Sequence, residues 1–99
     1  MNIDKKQEGS RLTIALEGEL DALTAPELTE VVESSLAGIT ELIFDLEKLD
    51  YTSSAGLRVF LASQQIMDEQ GTMTVKHVNE AVMNIFEETG FTDILDIDG

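Results

Sequence analysis

A short, nearly continuous apolar run, Leu42-Ile43-Phe44-Asp45-Leu46, decides the fold class of this chain. Amphipathic helical patterns lie on both sides of it. Such a run is typical of a parallel strand in the middle of a sheet, covered on both faces. Parallel neighbours must be joined by crossover connections, and helices of this length supply them. The run therefore predicts an α/β fold with a central buried strand.

The rest of the pattern gives the order of the elements. Residues 11–17 alternate between apolar and polar, and a turn at 8–10 separates them from a weaker run, so a β-hairpin opens the chain. Residues 73–76 alternate in the same way, and 94–97 offer a last strand. The predicted order is β-β-α-β-α-β-α-β, a mostly parallel or mixed sheet packed against helices. A length of 99 residues predicts one domain over 1–99.

A capping box predicts the start of the first helix. The Thr24 side chain can accept from the amide of Glu27 while Glu27 reaches back, and Pro26 lies in the first turn, where its missing donor costs little. Gly38 supplies the end of the helix. One apolar stripe faces the core and contains Leu28, Val31, Val32, Ser35 and Leu36.

Two further helices are predicted. The second follows residues 53–56 and ends at Gly71, and the third is capped by Asn79 and ends at Gly90. The inward positions are expected to be Val59, Phe60, Ser63, Ile66 and Met67 in the second helix, and Val82, Ile85 and Phe86 in the third.

The charge balance excludes several classes of partner. Six basic residues against twenty acidic ones give a net charge of −14, which repels nucleic-acid phosphates and anionic membranes. The absence of cysteine excludes disulfides and thiol chemistry and fits a reducing compartment. No signal-peptide pattern and no membrane-span pattern is present. We therefore expect a cytoplasmic protein that neither binds nucleic acid nor inserts into a membrane.

Enzymatic machinery is missing from the sequence. A single histidine, His77, excludes a multi-histidine metal site, and the absence of cysteine excludes a thiol nucleophile. The acidic residues lack calcium-loop spacing and are better explained as a solvated surface, and the glycines form neither common nucleotide loop. We expect a structural role for His77, and no catalytic residue, cofactor or metal.

The unusual feature is the run Thr52-Ser53-Ser54, three hydroxyls at the junction of the central strand and the second helix. One of them is expected to serve as the helix N-cap, but one cap does not need three hydroxyls. In parallel sheets, sites gather outside the carboxyl ends of strands, where residues 18–21 should lie beside this junction. Helix N-termini tolerate anions, so a phosphate on one of the hydroxyls is compatible with the fold.

Two segments resemble the STAS domains of the anti-sigma factor antagonists. Residues 18–28 look like the G-x-L-D-x-x-[ST]-A signature, and residues 49–57 look like the phosphorylation loop. The resemblance covers essentially the whole chain, and the order of elements agrees with a STAS-like fold. Alignment on Gly56-Leu57 puts Ser54 at the family's phosphoacceptor position, with Ser53 where many members have Asp.

The resemblance implies a binding protein that works as a switch. In the family, the unphosphorylated antagonist binds an anti-sigma factor of the GHKL serine kinase type and thereby frees a sigma factor. The kinase phosphorylates the serine, the complex is lost, and a PP2C-type phosphatase resets the protein. Ser54 would be the acceptor, with Asp21, Ser53, Ala55 and Gly56 as the surrounding surface. Arg58 lies four residues after Ser54 on the same helix face and can pair with a phosphate.

Other interpretations stay open from the sequence. STAS domains also serve as accessory or scaffold subunits of transporters and sensory complexes, where the serine loop is a fixed interface. Ser53 and Thr52 compete with Ser54 as acceptors, and Asp21 can simply cap the turn before Thr24. Gly56 is required for its backbone freedom, for close approach of a partner, or for packing against the sheet.

Overall fold

The computed structural model describes residues 1–98, and within them the predicted order of elements is confirmed. The helices are α1 (Ala25–Ser35), α2 (Ser54–Gln70) and α3 (Glu80–Thr89), with a short 3₁₀ helix at Phe91–Asp93. The strands are β1 (Asn2–Glu8), β2 (Arg11–Leu20), β3 (Glu41–Thr52), β4 (Thr72–Lys76) and β5 (Asp96–Asp98).

The strands form one mixed sheet in the order β1-β2-β3-β4-β5. β1 runs antiparallel to β2, and every later neighbour is parallel. Phe44 lies opposite Ile14 on one side and Val75 on the other, so β3 is the central strand. The prediction of a mostly parallel or mixed sheet is therefore confirmed.

The helices lie on one face of the sheet. Each parallel crossover moves one strand further in the same direction, and right-handed crossovers of this kind place their helices on the same side. Phe44 on the helical side is fully buried in the core, whereas Ile43 on the other side is 8% exposed and outside the core cluster. The expectation that β3 is covered on both faces is wrong. Below, the side without helices is called the open face.

Three phenylalanines link the sheet to its helices. The rings of Phe44 on β3 and Phe60 on α2 meet edge to face with centroids 5.1 Å apart, and Phe60 meets Phe86 on α3 in the same way at 6.0 Å. All three side chains are fully buried. Such pairs contribute about 0.5–1.5 kcal/mol beyond their area burial. They fix α2 and α3 against the strand that leads to the hydroxyl run.

The strands differ from their predicted lengths. β2 and β3 continue pairing to Leu20 and Thr52, so most of 18–21 and 49–52 is strand rather than loop. β3 accommodates two register shifts against β2, after Ala15 and after Gly18, which the sequence pattern concealed. β5 is shorter than expected: the chain at Phe91–Asp93 is helical, and Ile94 is exposed.

Helix ends agree with prediction in part. The Asn79 side chain accepts from the Val82 amide at 2.9 Å, and Gly90 ends α3 in the left-handed conformation. Gly71 ends α2 as expected. The capping box at Thr24 does not form, although α1 begins where predicted. Among the described residues, no helix has the length and apolar character needed to cross a membrane.

Candidate functional site

The carboxyl ends of β2 and β3 come together at the predicted place. Leu20 pairs with Thr52, and the Ser53 amide donates to the Leu20 carbonyl at 2.8 Å. Asp21 and Ser53, the next residue of each chain segment, therefore emerge side by side. The structure brings together the two segments that the sequence singled out.

Asp21 shapes the turn between β2 and α1. Its Oδ1 accepts from the backbone amides of Leu23 at 2.9 Å and Thr24 at 3.1 Å. These amides, that of Leu23 first, hold the pKa of the Asp21 carboxyl below its ordinary value of 3.8, against the opposing effect of burial. The turn-forming interpretation of Asp21 thus has a direct structural basis.

The Thr24 hydroxyl belongs to this turn rather than to a capping box. It donates to the Glu19 carbonyl and accepts from the Asp21 amide, both at 2.9 Å. The predicted exchange with Glu27 is wrong because the Thr24 side chain points back toward the end of β2 and its backbone is already helical.

The turn pushes Leu23 into solvent, where it is 90% exposed. Ala22 beside it is also exposed. The sequence pattern did not single out Leu23. The available signal was an apolar residue between the end of a strand and a helix start, outside the helical stripe. Leu23 therefore presents a large apolar side chain to solvent beside the ends of β2 and β3.

The three hydroxyls differ sharply in accessibility. Thr52 is buried and donates to the Ser53 carbonyl at 3.2 Å. Ser53 is the N-cap residue of α2, but its side chain caps no amide, and its Oγ is a buried atom without a partner among the described residues. The expectation that one of the three caps the helix through its side chain is therefore wrong for Ser53, the N-cap residue. Ser54, the first residue of α2, is the exposed hydroxyl of the run.

Gly56 is required by packing. It is buried in the first turn of α2, and a β-carbon there would lie 2.6 Å from Leu20 Cγ and also clash with Thr52 Oγ1. Its backbone does not adopt the left-handed conformation. Of the three interpretations of Gly56, the structure supports close packing of α2 on the ends of β2 and β3.

A groove of about 600 Å³ runs between α1 and α2 beside these residues. Arg58 is exposed on its α2 side, with Ala55 one turn before it, and Glu33 lies on the α1 side. Arg58 makes no ion pair within Met1–Asp98. Its guanidinium is therefore available on the same helix that begins with Ser54. The other lining residues are mostly small or apolar: Ala22, Ala25, Pro26, Thr29, Val32, Val59, Ala62, Ser63 and Ile66.

Comparison with known proteins agrees with this geometry. The family described as "Mlab, STAS domain" matches residues 3–96. The anti-sigma-B factor antagonist of Bacillus subtilis is 30% identical over 98 residues, which cover 98% of this chain and 90% of that protein. The chain belongs to the STAS domain family.

Solved structures show the same fold. An anti-sigma factor antagonist from Mycobacterium paratuberculosis superimposes with a TM-score of 0.88 at 20% identity, covering 97% of this chain and 83% of that one. The Bacillus cell fate determinant SpoIIAA in its phosphorylated form gives 0.77 at 16% identity, covering 99% and 92%. The resemblance of this STAS domain to anti-sigma factor antagonists, predicted from two motifs, is confirmed.

Proposed function

We propose that this STAS protein is an anti-sigma factor antagonist whose binding surface is controlled by phosphorylation of Ser54. The observation that carries the proposal is the selective exposure of Ser54 at a helix N-terminus without a side-chain cap, beside an exposed Leu23. Similarity to proteins named anti-sigma-B factor antagonists supports the partner class. The partner is an anti-sigma factor with GHKL-type serine kinase activity, and its capture frees a sigma factor.

The partner surface that we propose surrounds Ser54. It consists of the turn at Asp21, the half-buried Ser53 and Ala55, the Gly56 turn of α2, and Arg58. Leu23 extends it as an apolar anchor. Exposed apolar and arginine side chains are what protein interfaces bury in their central contacts. Asp21 and Gly56 act mainly by holding this surface in shape, given their hydrogen bonds and packing.

Phosphate on Ser54 leaves the fold intact. The group adds about −1.5 to −2 charges at the N-terminus of α2, where free amides favour an anion by about 0.3–1 kcal/mol. Arg58 lies one turn further along α2 and carries no competing ion pair among the described residues. Because Ser54 is exposed, the phosphate stays hydrated in the free protein.

The complex does not tolerate the same phosphate. A dianion buried against a surface shaped for a hydroxyl must lose water, and an unpaired buried charge costs several kcal/mol. Since about 1.4 kcal/mol changes affinity tenfold, a cost of about 3–4 kcal/mol weakens binding several hundredfold. A PP2C-type phosphatase then restores the binding form. The cycle requires the cytoplasm, where the kinase and ATP are present.

The test is a binding titration with the cognate anti-sigma factor. We expect Ser54→Ala to bind in the presence of ATP, Ser54→Asp to bind much more weakly, and Leu23→Ala to lose affinity. Ser34→Asp is the matched control: it adds the same charge in the last turn of α1, far from Ser54, and should bind as the wild type does. Circular dichroism verifies that each variant is folded.

Mass mapping after incubation with kinase and ATP decides the acceptor. Phosphate on Ser53 or Thr52 instead of Ser54 contradicts the assignment, and phosphorylated protein that still binds its partner contradicts the switch. Failure of the wild type to bind any anti-sigma factor, together with capture by a transporter or sensory complex, would support the scaffold function instead.

A further inference from the structure

A second group of chemically reactive side chains lies on the open face, apart from the hydroxyl junction. Asp45 and Glu47 come from β3, and His77 follows β4. One ligand atom from each side chain lies within 4.8 Å of the others. The sequence did not predict the group because parallel pairing of β3 with β4 joins residues about thirty positions apart.

Local backbone features hold these three side chains in place. β3 carries one extra residue relative to β2 immediately after Asp45, and the Asp45 carboxylate accepts from the Glu47 amide at 3.1 Å across this bulge. Lys76, the last residue of β4, lies opposite Asp45. His77 then adopts a left-handed backbone with φ of 58°, and its Nδ1 lies 3.0 Å from Asp45 Oδ1.

We propose that Asp45, Glu47 and His77 bind a divalent transition metal ion of the zinc class. Ligands at about 2.0–2.1 Å from a tetrahedral zinc are about 3.3 Å apart, so these atoms need only small side-chain movements to reach bonding distance. One imidazole nitrogen and two carboxylate oxygens form a donor set suited to zinc rather than to magnesium or calcium, which prefer oxygen alone. Water completes the coordination sphere.

Neighbouring charges and solvent exposure determine the expected metal affinity of this site. Two cations, Lys48 and Lys76, are near the carboxylates by sequence or by register, and neither pairs with them among the described residues. They reduce the local negative charge. His77 and Asp45 retain 59% and 30% of their side-chain exposure, so the ion is accessible to solvent. We therefore expect a reversible site rather than one needed for folding.

Zinc titration of protein without a polyhistidine tag tests the proposal. Calorimetry should show saturable binding of one ion per chain. Because the sequence contains a single histidine, ¹⁵N NMR reports on its imidazole without overlap, and zinc should shift the Nδ1 resonance of His77. His77→Asn and Glu47→Gln should each weaken binding by about tenfold or more, since loss of an outer-shell partner alone already costs about 10–100-fold. Asn tolerates the left-handed backbone at position 77.

Glu87→Gln is the matched control because it removes an exposed carboxylate from α3 and should leave zinc affinity unchanged. Zinc binding with equal affinity in wild type and His77→Asn, or binding without a change at Nδ1, overturns the proposal. Either result would show that His77 only pins the end of β4 to Asp45, and that the acidic surface attracts zinc without a defined site. Circular dichroism of each variant excludes unfolding as the cause of lost binding.

Discussion

At the scale of single residues, the space around Gly56 distinguishes a structural role from a binding role. An added methyl group clashes with Leu20 and Thr52, both of which are buried. We expect Gly56→Ala to lower the free energy of unfolding by about 1–3 kcal/mol, the usual cost of overpacking. Denaturant titration measures this change.

The direction of the change is diagnostic. In an exposed helix interior, Gly→Ala stabilises by about 0.8–1 kcal/mol through helix propensity. A gain of this size at position 56 would show that the clash relaxes without cost. A loss of partner affinity with unchanged stability would return Gly56 to the interface.

Asp21 makes the free energy of unfolding depend on pH in the acid range. Its pKa in the folded chain is below the ordinary 3.8, so the folded state favours the carboxylate. The stabilisation is complete above the unfolded-state pKa and is lost as pH falls through the lower folded-state pKa. Asp21→Asn keeps an oxygen acceptor for the turn but carries no charge. We expect its stability deficit at neutral pH to disappear in acid, as measured by denaturation at a series of pH values.

Asp50→Asn is the control, because Asp50 is exposed and its side chain has no hydrogen bond among the described residues. Asp50→Asn should show no loss of stability that disappears as the pH is lowered. If the difference in the free energy of unfolding between wild type and Asp21→Asn stayed constant throughout the acid range, the Leu23 and Thr24 amides would not favour the ionised form of Asp21.

Side-chain roles were harder to predict than side-chain positions. The sequence predicted that Asp21 and Ser53 lie together, since parallel strands end at a common edge. It did not predict that Asp21 forms the turn while Thr24 bonds backward to Glu19. Several hydroxyls and carboxylates compete for the same few amides, and backbone dihedral angles choose among them. Leu23 escaped prediction because its exposure depends on that choice.

At the scale of elements, the N-termini of α2 and α3 have N-cap residues of similar type but different chemistry. Asn79 accepts from Val82 and also donates to the Leu49 carbonyl at 2.6 Å, whereas Ser53 Oγ is buried without a partner among residues 1–98. We expect Asn79→Ala to cost about 1–2 kcal/mol or more. Ser53→Ala should cost clearly less than Asn79→Ala, because it removes a hydroxyl that makes no hydrogen bond. Thermal and denaturant unfolding of both variants give the comparison.

A cost near 1 kcal/mol for Ser53→Ala would contradict this difference, because it would show that the Ser53 hydroxyl caps α2 in solution. The result bears on function as well. If the Ser53 hydroxyl accepts no hydrogen bond from the first backbone amides of α2, these amides are free to stabilise a phosphate on Ser54.

Element types were predicted well and element limits less well. Period-3.6 stripes identified all three helices, and the predicted glycine ends are correct for α2 and α3, whereas α1 ends at Ser35 and not at Gly38. β3 was predicted as five residues because its apolar run stops at Leu46, yet the strand is twelve residues long. The bulges after Asp45 break the alternation that sequence reading relies on. The β3–β4 and β4–β5 pairings are shorter than the β2–β3 pairing. The end of β3 therefore extends beyond β4 and β5 to the site.

At the scale of the whole molecule, the order of the strands decides a question that the apolar run of β3 left open, namely whether helices cover one face of the sheet or both. An apolar run appears the same whether helices cover one face of a strand or both, so sequence could not exclude a two-sided arrangement. The order β1 to β5 with right-handed crossovers places the helices on one side. The open face keeps Thr13, Ala15 and Thr74 only half-buried and leaves the Asp45 cluster accessible.

The net charge of −14 gives the last prediction. Only two ion pairs of lysine or arginine with a carboxylate occur within Met1–Asp98, so most of the acidic side chains repel one another on the surface of the folded chain. Sodium chloride screens this repulsion over distances beyond about 10 Å at 0.1 M. We expect the unfolding temperature to rise with sodium chloride, and a gain of about 1 kcal/mol corresponds to about 4–8 °C for a domain of this size. Glu30→Lys combined with Glu87→Lys, both exposed, should raise stability at low salt and reduce the salt dependence. Sulfate is unsuitable because it also strengthens apolar burial. An unfolding temperature that falls with sodium chloride would show that attractive pairs outweigh the repulsion.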